Sequence, residues 1–461
     1  MSNQLVWFRN DLRIADHQAL SQAIDIAKST DSECFALYLW SENQLLSQGA
    51  GINRFRAIEQ ALNSLKDSLA NIGIRLNIIT VSSWQDSADA LLKFVQHHQI
   101  TDIHCHFEPG YDEYNRDKNA KIALGSQCNF IRYNDLFLIH PAQNLNKQKD
   151  FYRVFSAYKK STLVKLQSEL TAPRPAPTFK HPINVEPVNL NLISQWENPL
   201  NLPTTEKNAH DRLEIFLENE CNYADQRDIP SVDGTSKLSV ALSLGILTSR
   251  QIAWALLDTH KSLSESTYFS EIIWREFYKY LTYFRNDLCI GKPFNEKWDK
   301  FPWRSDMNLL ECWQKGQTGV PIVDAAMHQL NQTGWMHNRL RMVTAMYLTK
   351  IMQLDWRVGE KYFASQLADF DFCANNGGWQ WVASTGVDAV PYFRIFNPHQ
   401  QSKRFDPDGK FIRKYLPELG LISSKEIHDP DMTKYSQTEY PSAILDYKAA
   451  RTDTLNLFKS L

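Results

Sequence analysis

Five stretches of the chain bring together residue types that can do chemistry. In YFSEIIWREFYKYLTYF (268–284), Glu271, Trp274, Arg275 and Tyr278 recur at i, i+3, i+4 and i+7. That spacing places a carboxylate, a guanidinium and two aromatic rings on one helix face. Ile272, Ile273, Phe277 and Tyr280 take the opposite side. The plainer alternative is an intrahelical Glu271–Arg275 ion pair on a solvated surface. In GWMHNRLRMVTAMYL (334–348), Trp335, Asn338, Arg339 and Met342 share a side, while Arg341 projects elsewhere and needs a carboxylate if buried. Asn and Arg suit hydrogen bonding to carbonyls and phosphates, and Met342 offers a soft apolar contact.

ADFDFCANNGGWQW (368–381) reads as a short polar stretch whose Asn-Asn-Gly-Gly lets backbone and amide groups approach a planar ligand. Asp369 and Asp371 face that ligand or the arginines of the preceding segment. A surface turn is the alternative, weakened by the Trp379/Trp381 pair that follows. In GTSKLSVALSLG (234–245), Thr235, Ser236 and Ser239 at a helix start form a phosphate cradle or an ordinary cap. Residues 392–414 hold six Lys/Arg against two Asp, with interleaved aromatics. They suit phosphate contact, with a solvated loop as the alternative. Combined, the five stretches describe a helical domain with a phosphate cradle, a pocket for a planar cofactor, and paired Trp near a basic surface.

These residues need elements to hold them. Residues 1–140 alternate strand-like runs (5–8, 34–40, 74–81, 102–107, 129–133) with helical periods (15–28, 52–71, 85–98, 113–124). The expectation is an α/β domain with a parallel, Rossmann-like sheet, binding ligands at the carboxyl ends of its strands. Residues 141–205 read as a linker, extended over the Pro-rich stretch from Thr171 to Pro187. Residues 206–461 read as all-helical, with helices at 208–219, 237–258, 268–284, 306–315, 320–332, 336–353 and 357–367.

Composition sets the outer bounds. At 461 residues the chain has room for two or three domains. No apolar run approaches the ~20 residues of a membrane span. MSNQLVWFRNDLR lacks the charged and apolar regions of a secretory signal. Seven scattered Cys imply reduced thiols in the cytoplasm. A net charge of −2 excludes nucleic-acid binding through bulk positive charge and leaves a local basic face open. Nine of the 13 Trp fall between Trp254 and Trp381, which calls for a large helical core or a site for planar ligands. No nucleotide phosphate loop or dinucleotide fingerprint is present. No metal is expected, because strand alternation sends Cys105 away from His104 and His106.

VWFRNDLR, GTSKLS, EIIWREFY, GWMHNRLRM and DFCANNGGWQWVASTG, in this order, resemble the photolyase/cryptochrome family over nearly the whole chain. Within that family the motifs most resemble the class I cyclobutane pyrimidine dimer photolyases. The resemblance implies an antenna in the N-terminal domain and U-shaped FAD in the helical domain. Tyr223, Thr235, Ser236, Lys237, Leu238 and Ser239 match FAD phosphate-binding positions, and Arg275 and Glu271 line the cofactor. Asn338 and the segment from Asp369 and Asp371 to Asn375 match the isoalloxazine surround, with Asn375 facing flavin N5. Arg341 is implied to pair with Asp369. Glu271 and Asn338 would bond the flipped pyrimidines, Trp274 and Trp381 would hold their rings, and Met342 would pack beside them. Arg339, Arg394 and Lys403 would contact DNA phosphates together with Trp274. Trp379, Trp356 and Trp303 match an electron-hopping chain. The implied activity is light-dependent repair of pyrimidine dimers by electron transfer from excited FADH⁻, in a monomer acting on damaged DNA.

Asn338 and Arg339 after His337 follow the dimer-repair pattern, where (6-4) photolyases carry a His pair. A photosensory cryptochrome without repair activity is the alternative. Retained Glu271, Asn338, Met342 and Trp381, and the absence of a long tail after Leu461, stand against it. The sequence departs from the family at Lys237 (usually Arg), Tyr268 (Trp), Ile290 (basic) and Asp112 (Asn). Retained Glu113 points to 5,10-methenyltetrahydrofolate as antenna despite the departures at Asp112 and Ile290, with a deazaflavin or no antenna as the other two readings.

Overall fold

Apolar runs bounded by turn residues become five strands of one parallel sheet. β1 (Asn3–Phe8), β2 (Cys34–Trp40), β3 (Leu76–Thr80), β4 (Ile100–His106) and β5 (Asn129–Tyr133) lie in the order β3-β2-β1-β4-β5. Val6 stands opposite Ala36 on one side and His104 on the other. Paired on both edges and covered on both faces, β1 is buried along its whole length, which is why it reads as a continuous apolar run. Helices Gln18–Ser29, Ile52–Asn71, Ser87–His98 and Tyr111–Leu124 supply the crossovers. Strand order reverses between β1 and β4. Beside that point, beyond the strands' carboxyl ends, an open cleft is lined by residues including Trp7, Tyr38, Trp84, Glu108 and Glu113.

A computed structural model describes residues 2–190, 192, 197–260, 262–435 and 437–460. The chain forms two compact units. One comprises residues 1–197, 201–220 and 236–290; the other comprises 198–200, 221–235 and 291–461. The α/β sheet therefore groups with the helices of 236–290, including Thr267–Phe284.

In the first unit, the stretch read as linker contains a 15-residue helix, Phe155–Glu169, before the extended proline segment. That segment is bonded to helix Ile52–Asn71 and the turn after it: the amides of Lys180 and Ile183 donate to Ile72 and Ala70. The helix expected over 237–258 is two, Ser239–Ser243 and Ser249–Leu257, because Gly245 breaks it. Gly245 has φ +63°, and a Cβ there would lie 2.0 Å from the Asn10 carbonyl oxygen, so only glycine fits.

The second unit is helical, with two departures from expectation. The helix expected over 336–353 is Asn338–Met346 followed by a π turn, Tyr347–Ile351. The wider turn directs Lys350 inward, where its Nζ donates to the Ala383 carbonyl and Ser384 Oγ, both at 2.9 Å. The stretch read as a short polar segment is a regular helix, Phe372–Ala383. The basic segment also holds two short helices, Pro398–Phe405 and Lys410–Tyr415, where a loop was the alternative.

Candidate active site

In the first unit, helix Thr267–Phe284 starts on Ser266, whose hydroxyl accepts from the Phe269 amide. Ile272, Ile273, Phe277 and Tyr280 are buried, and Glu271, Trp274, Arg275 and Tyr278 form the less buried side. Trp274 stacks on Phe155 with centroids 3.6 Å apart and planes 8° apart, so one face of its indole is covered. Arg275 Nη2 donates to the Leu242 carbonyl at 2.6 Å, tying this helix to the segment after GTSKLS. In that segment Lys237 takes the left-handed conformation, φ +54°. The short helix that follows begins on Leu238, which has no capping side chain, and the Ser236 hydroxyl just before it accepts from the Leu238 amide at 3.4 Å. Ser236 accepts from Tyr268 Oη at 3.1 Å, and its carbonyl accepts from Arg212 Nε at 2.8 Å. Burial pushes the Tyr268 phenol up to about 12, keeping it a donor.

In the second unit, Asn338 opens its helix behind His337, whose Nδ1 accepts from the Arg339 amide at 3.2 Å. Asn338 is exposed, and Met342 is partly buried one turn on. Arg341 reaches Asp369 Oδ2 at 2.7 Å. Asp369 Oδ1 is buried with no hydrogen-bond partner among the described residues, an acceptor suited to a donor from a bound group. Asp371 caps helix Phe372–Ala383 by accepting from the Ala374 amide at 3.2 Å. Asn375 Nδ2 donates to the Glu360 carbonyl at 3.0 Å and Asn376 Nδ2 to Glu360 Oε1 at 2.8 Å. A side chain at Gly378 would meet nothing within 4 Å, so this helix borders open space beside Trp379 and Trp381.

Trp379 is buried against Phe363 at 5.0 Å and Trp313 at 6.0 Å. Trp356 is fully buried, with the Arg357 guanidinium 4.9 Å from its ring. Trp303 packs 4.2 Å from Phe301. Tyr223 is buried, and Thr235 is partly buried. Arg394 and Lys403 are exposed, whereas Arg339 is ion-paired with Asp228 at 2.8 Å.

Curated relatives match along the full length. Deoxyribodipyrimidine photo-lyase of Escherichia coli (strain K12) is 38% identical and covers 100% of this chain and 99% of its own. The chain belongs to the DNA photolyase family. The photo-lyase of Vibrio cholerae serotype O1 is 36% identical, covering 99% of both chains. Residues 4–178 match the family model described as DNA photolyase, and residues 268–460 that described as FAD binding domain of DNA photolyase. Among solved structures, a bacterial class III photolyase from Agrobacterium tumefaciens has a TM-score of 0.89 at 30% identity, covering 100% of this chain and 98% of its own. A Synechocystis sp. PCC6803 cryptochrome follows at 0.88 and 26%, covering 99% of both. Fold alone therefore does not separate repair from sensing; the full-length photo-lyase relatives do.

Asp112 and Glu113, the residues expected at an antenna site, sit on helix Tyr111–Leu124. Asp112 accepts from Gln44 and Gln48 at 2.9 and 3.2 Å. Burial, with Glu108 nearby, raises the Glu113 carboxyl to about 7, and it lines the cleft beyond the strand ends.

A second buried cluster lies at the carboxyl ends of β1 and β4. Asp11 Oδ2 is 2.6 Å from His106 Nδ1 and 3.3 Å from His17 Nε2. Ligand atoms of the three lie within 4.8 Å of one another, as a metal would require. His17 Nδ1, however, accepts from the Leu20 amide at 3.0 Å, so the neutral ring carries its proton on Nε2 and has no lone pair left for a metal. Burial opposes the Asp11 charge, but His106 and His17 outweigh it and hold the carboxyl well below its usual range.

Four neighbours of the site went unnoticed in the sequence. Phe155 stacks on Trp274, Glu360 holds both asparagines, Lys350 anchors the end of their helix, and Asp228 pairs with Arg339. Asp228 and Arg339 are 111 positions apart, and no local pattern links them.

Proposed function

We propose that this protein repairs cyclobutane pyrimidine dimers in DNA by light-driven electron transfer from reduced FAD. The observation that carries this is full-length similarity to deoxyribodipyrimidine photo-lyases, joined to a partnerless buried acceptor at Asp369 and open space at Gly378. When bound, reduced FAD supplies a photoexcitable one-electron donor; the protein positions it and excludes water. Tyr223, Thr235, Ser236, Lys237, Leu238, Ser239 and Arg275 hold its phosphates and flanks. Asn338, Arg341, Asp369, Asp371 and Asn375 surround its ring.

The dimer enters flipped out of the duplex, which costs little because a dimer stacks poorly. Glu271 and Asn338 bond its carbonyls and amides, and Met342 packs beside it. Trp381 and the uncovered face of Trp274 flank its rings; the Phe155 stack fixes which face of Trp274 is offered. Arg339, Arg394 and Lys403 meet the phosphates, and the exposure of the last two fits that role. Trp379, Trp356 and Trp303 carry electrons inward when the flavin is oxidised. Asp112 and Glu113 receive methenyltetrahydrofolate; a Glu113 carboxyl held near 7 suits bonding to a pterin edge. Seven free cysteines fit a cytoplasmic protein, which acts as a monomer. Among the described residues no helix is long and apolar enough to cross a membrane.

The test uses chemically reduced protein and an oligonucleotide bearing one thymine dimer, in light and in darkness. The thymine absorbance lost in the dimer should recover only in light, and Glu271→Ala should slow recovery at least tenfold while FAD stays bound. No recovery from a photoreducible flavoprotein would point to a sensor instead.

A further inference from the structure

Arg339 is expected to meet a DNA phosphate, yet its charge is already engaged. Nη2 donates to both oxygens of Asp228 at 2.8 Å, and Nε donates to Oδ1 at 3.1 Å. The guanidinium lies 4.6 Å from the Phe405 ring centre, and Arg404 lies 5.1 Å from the same ring. Nη1 lies 3.8 Å from Met342 Sδ. The guanidinium is therefore locked by a fork-shaped ion pair and an aromatic ring, with Nη1 as the nitrogen not spent on Asp228. The pair is part-exposed, at 18% for Arg339 and 30% for Asp228. Arg227 Nε stands 4.0 Å from Asp228 Oδ1. Arg227, Asp228 and Arg339 thus carry a net charge of +1 where two bare arginines would carry +2.

This arrangement separates two tasks that a phosphate-binding arginine usually combines. A free cation attracts any DNA, damaged or not, through counterion release. A neutralised, oriented donor gives little at long range and acts only where a phosphate arrives in the right place. We infer that Asp228 is a specificity-determining residue: it cancels the recruiting charge of Arg339 and aims Nη1, beside Met342, at the phosphate next to a flipped dimer. Undamaged duplex, which presents no phosphate there, gains nothing from Arg339. The inference rests on the proposed reading of the protein as a dimer-repair enzyme.

The experiment measures equilibrium binding of the flavin-loaded protein, in darkness, to a duplex with one thymine dimer and to the same duplex undamaged, over a range of salt. Asp228→Asn keeps the size and an acceptor but removes the charge. It should tighten binding to undamaged duplex about threefold to tenfold and steepen the log–log salt slope by about 0.9, one added phosphate contact. Binding to dimer duplex should change less, so the preference for damage falls. Asp228→Glu should restore the wild-type preference. The double variant D228N/R339Q keeps the wild-type net charge; it should keep the wild-type salt slope while losing dimer affinity. If Asp228→Asn loses its flavin through misfolding, Asp228→Ser makes the same measurement. An unchanged salt slope and unchanged undamaged affinity, in a protein whose wild type prefers the dimer, overturn this inference alone. A wild type with no preference for the dimer overturns the reading beneath it.

Discussion

Helices Thr267–Phe284 and Phe372–Ala383 both carry expected site residues, and they come from opposite kinds of sequence. The first has apolar residues at helical spacing, a serine cap and no glycine. The second has Asn-Asn-Gly-Gly at its centre, where each glycine costs about 1 kcal/mol relative to alanine. It forms because other elements grip it. Asp371 caps its start, Glu360 holds Asn375 and Asn376, Trp379 fills the space over Gly359, and Lys350 binds its last carbonyl. A helix specified by its own pattern can use one face for packing and the other for the site. A helix specified by its surroundings can keep small residues and open space on the site side, because its stability comes from elsewhere.

The sharpest way to break this contrast is Gly359→Ala, in helix Trp356–Gln366. By helix propensity alone the change should stabilise by about 1 kcal/mol. The added Cβ, however, would lie 2.2 Å from the Trp379 ring. Overpacking should win, lowering stability by about 3 kcal/mol and reducing flavin retention. Thermal unfolding and bound-flavin absorbance read both effects, and an unchanged or raised Tm would show that Trp379 yields easily.

Glu360 offers the next largest effect. Burial lifts its carboxyl to about 7 from an ordinary 4.5. A carboxyl raised on folding stabilises fully below its unfolded pKa, and that contribution is lost as pH rises through the folded value. Glu360→Gln keeps an acceptor for Asn376 and cannot ionise. The variant should therefore gain on the wild type between pH 4.5 and 7, by on the order of 2 kcal/mol at the upper end. Denaturant melts at several pH values would show it; a constant difference would mean that the Glu360 carboxyl has the same pKa folded and unfolded.

The smallest effect belongs to the self-specified helix. Phe155→Leu removes the ring stacked on Trp274 and should cost about 1 kcal/mol, with the helix intact by circular dichroism. The altered Trp274 should weaken dimer binding a few-fold while FAD content stays constant. Loss of FAD would mean that helix Thr267–Phe284 also depends on its neighbours.

The same contrast marks how far the sequence could be read. Strands Cys34–Trp40 and Asn129–Tyr133 and helix Ile52–Asn71 stand at the residues their periodicity predicts, because burial on a regular element leaves a regular pattern. Helix Phe372–Ala383 was hidden, since its stabilising partners lie in other segments and Gly-Gly signals a turn. Helix Phe155–Glu169 was hidden beside the prolines, where composition outweighed its own weak amphipathic pattern. Candidate site residues in long motifs could be proposed in advance. Their supports could not: Asp228, Glu360 and Lys350 act on residues their own neighbourhoods do not mention.

The contact at Gly245 bears on how the chain is made. Gly245 packs on the Asn10 carbonyl, its own carbonyl accepts from Arg13, and Arg54 donates to Ser243 Oγ. Helix Thr267–Phe284 reaches the same unit through Glu276, which accepts from the Leu138 amide. The five strands emerge from the ribosome long before these partners exist. At about 5–20 residues per second, the wait from residue 140 to residue 290 is roughly 10–30 s. During that interval the buried guanidiniums of Arg13 and Arg54 have Asp16 and Asn10 but lack their acceptors on Gly245 and Ser243, so the sheet domain is born incomplete. A nascent chain stalled near residue 200 should be cut readily by protease, and one stalled well past residue 290 should resist.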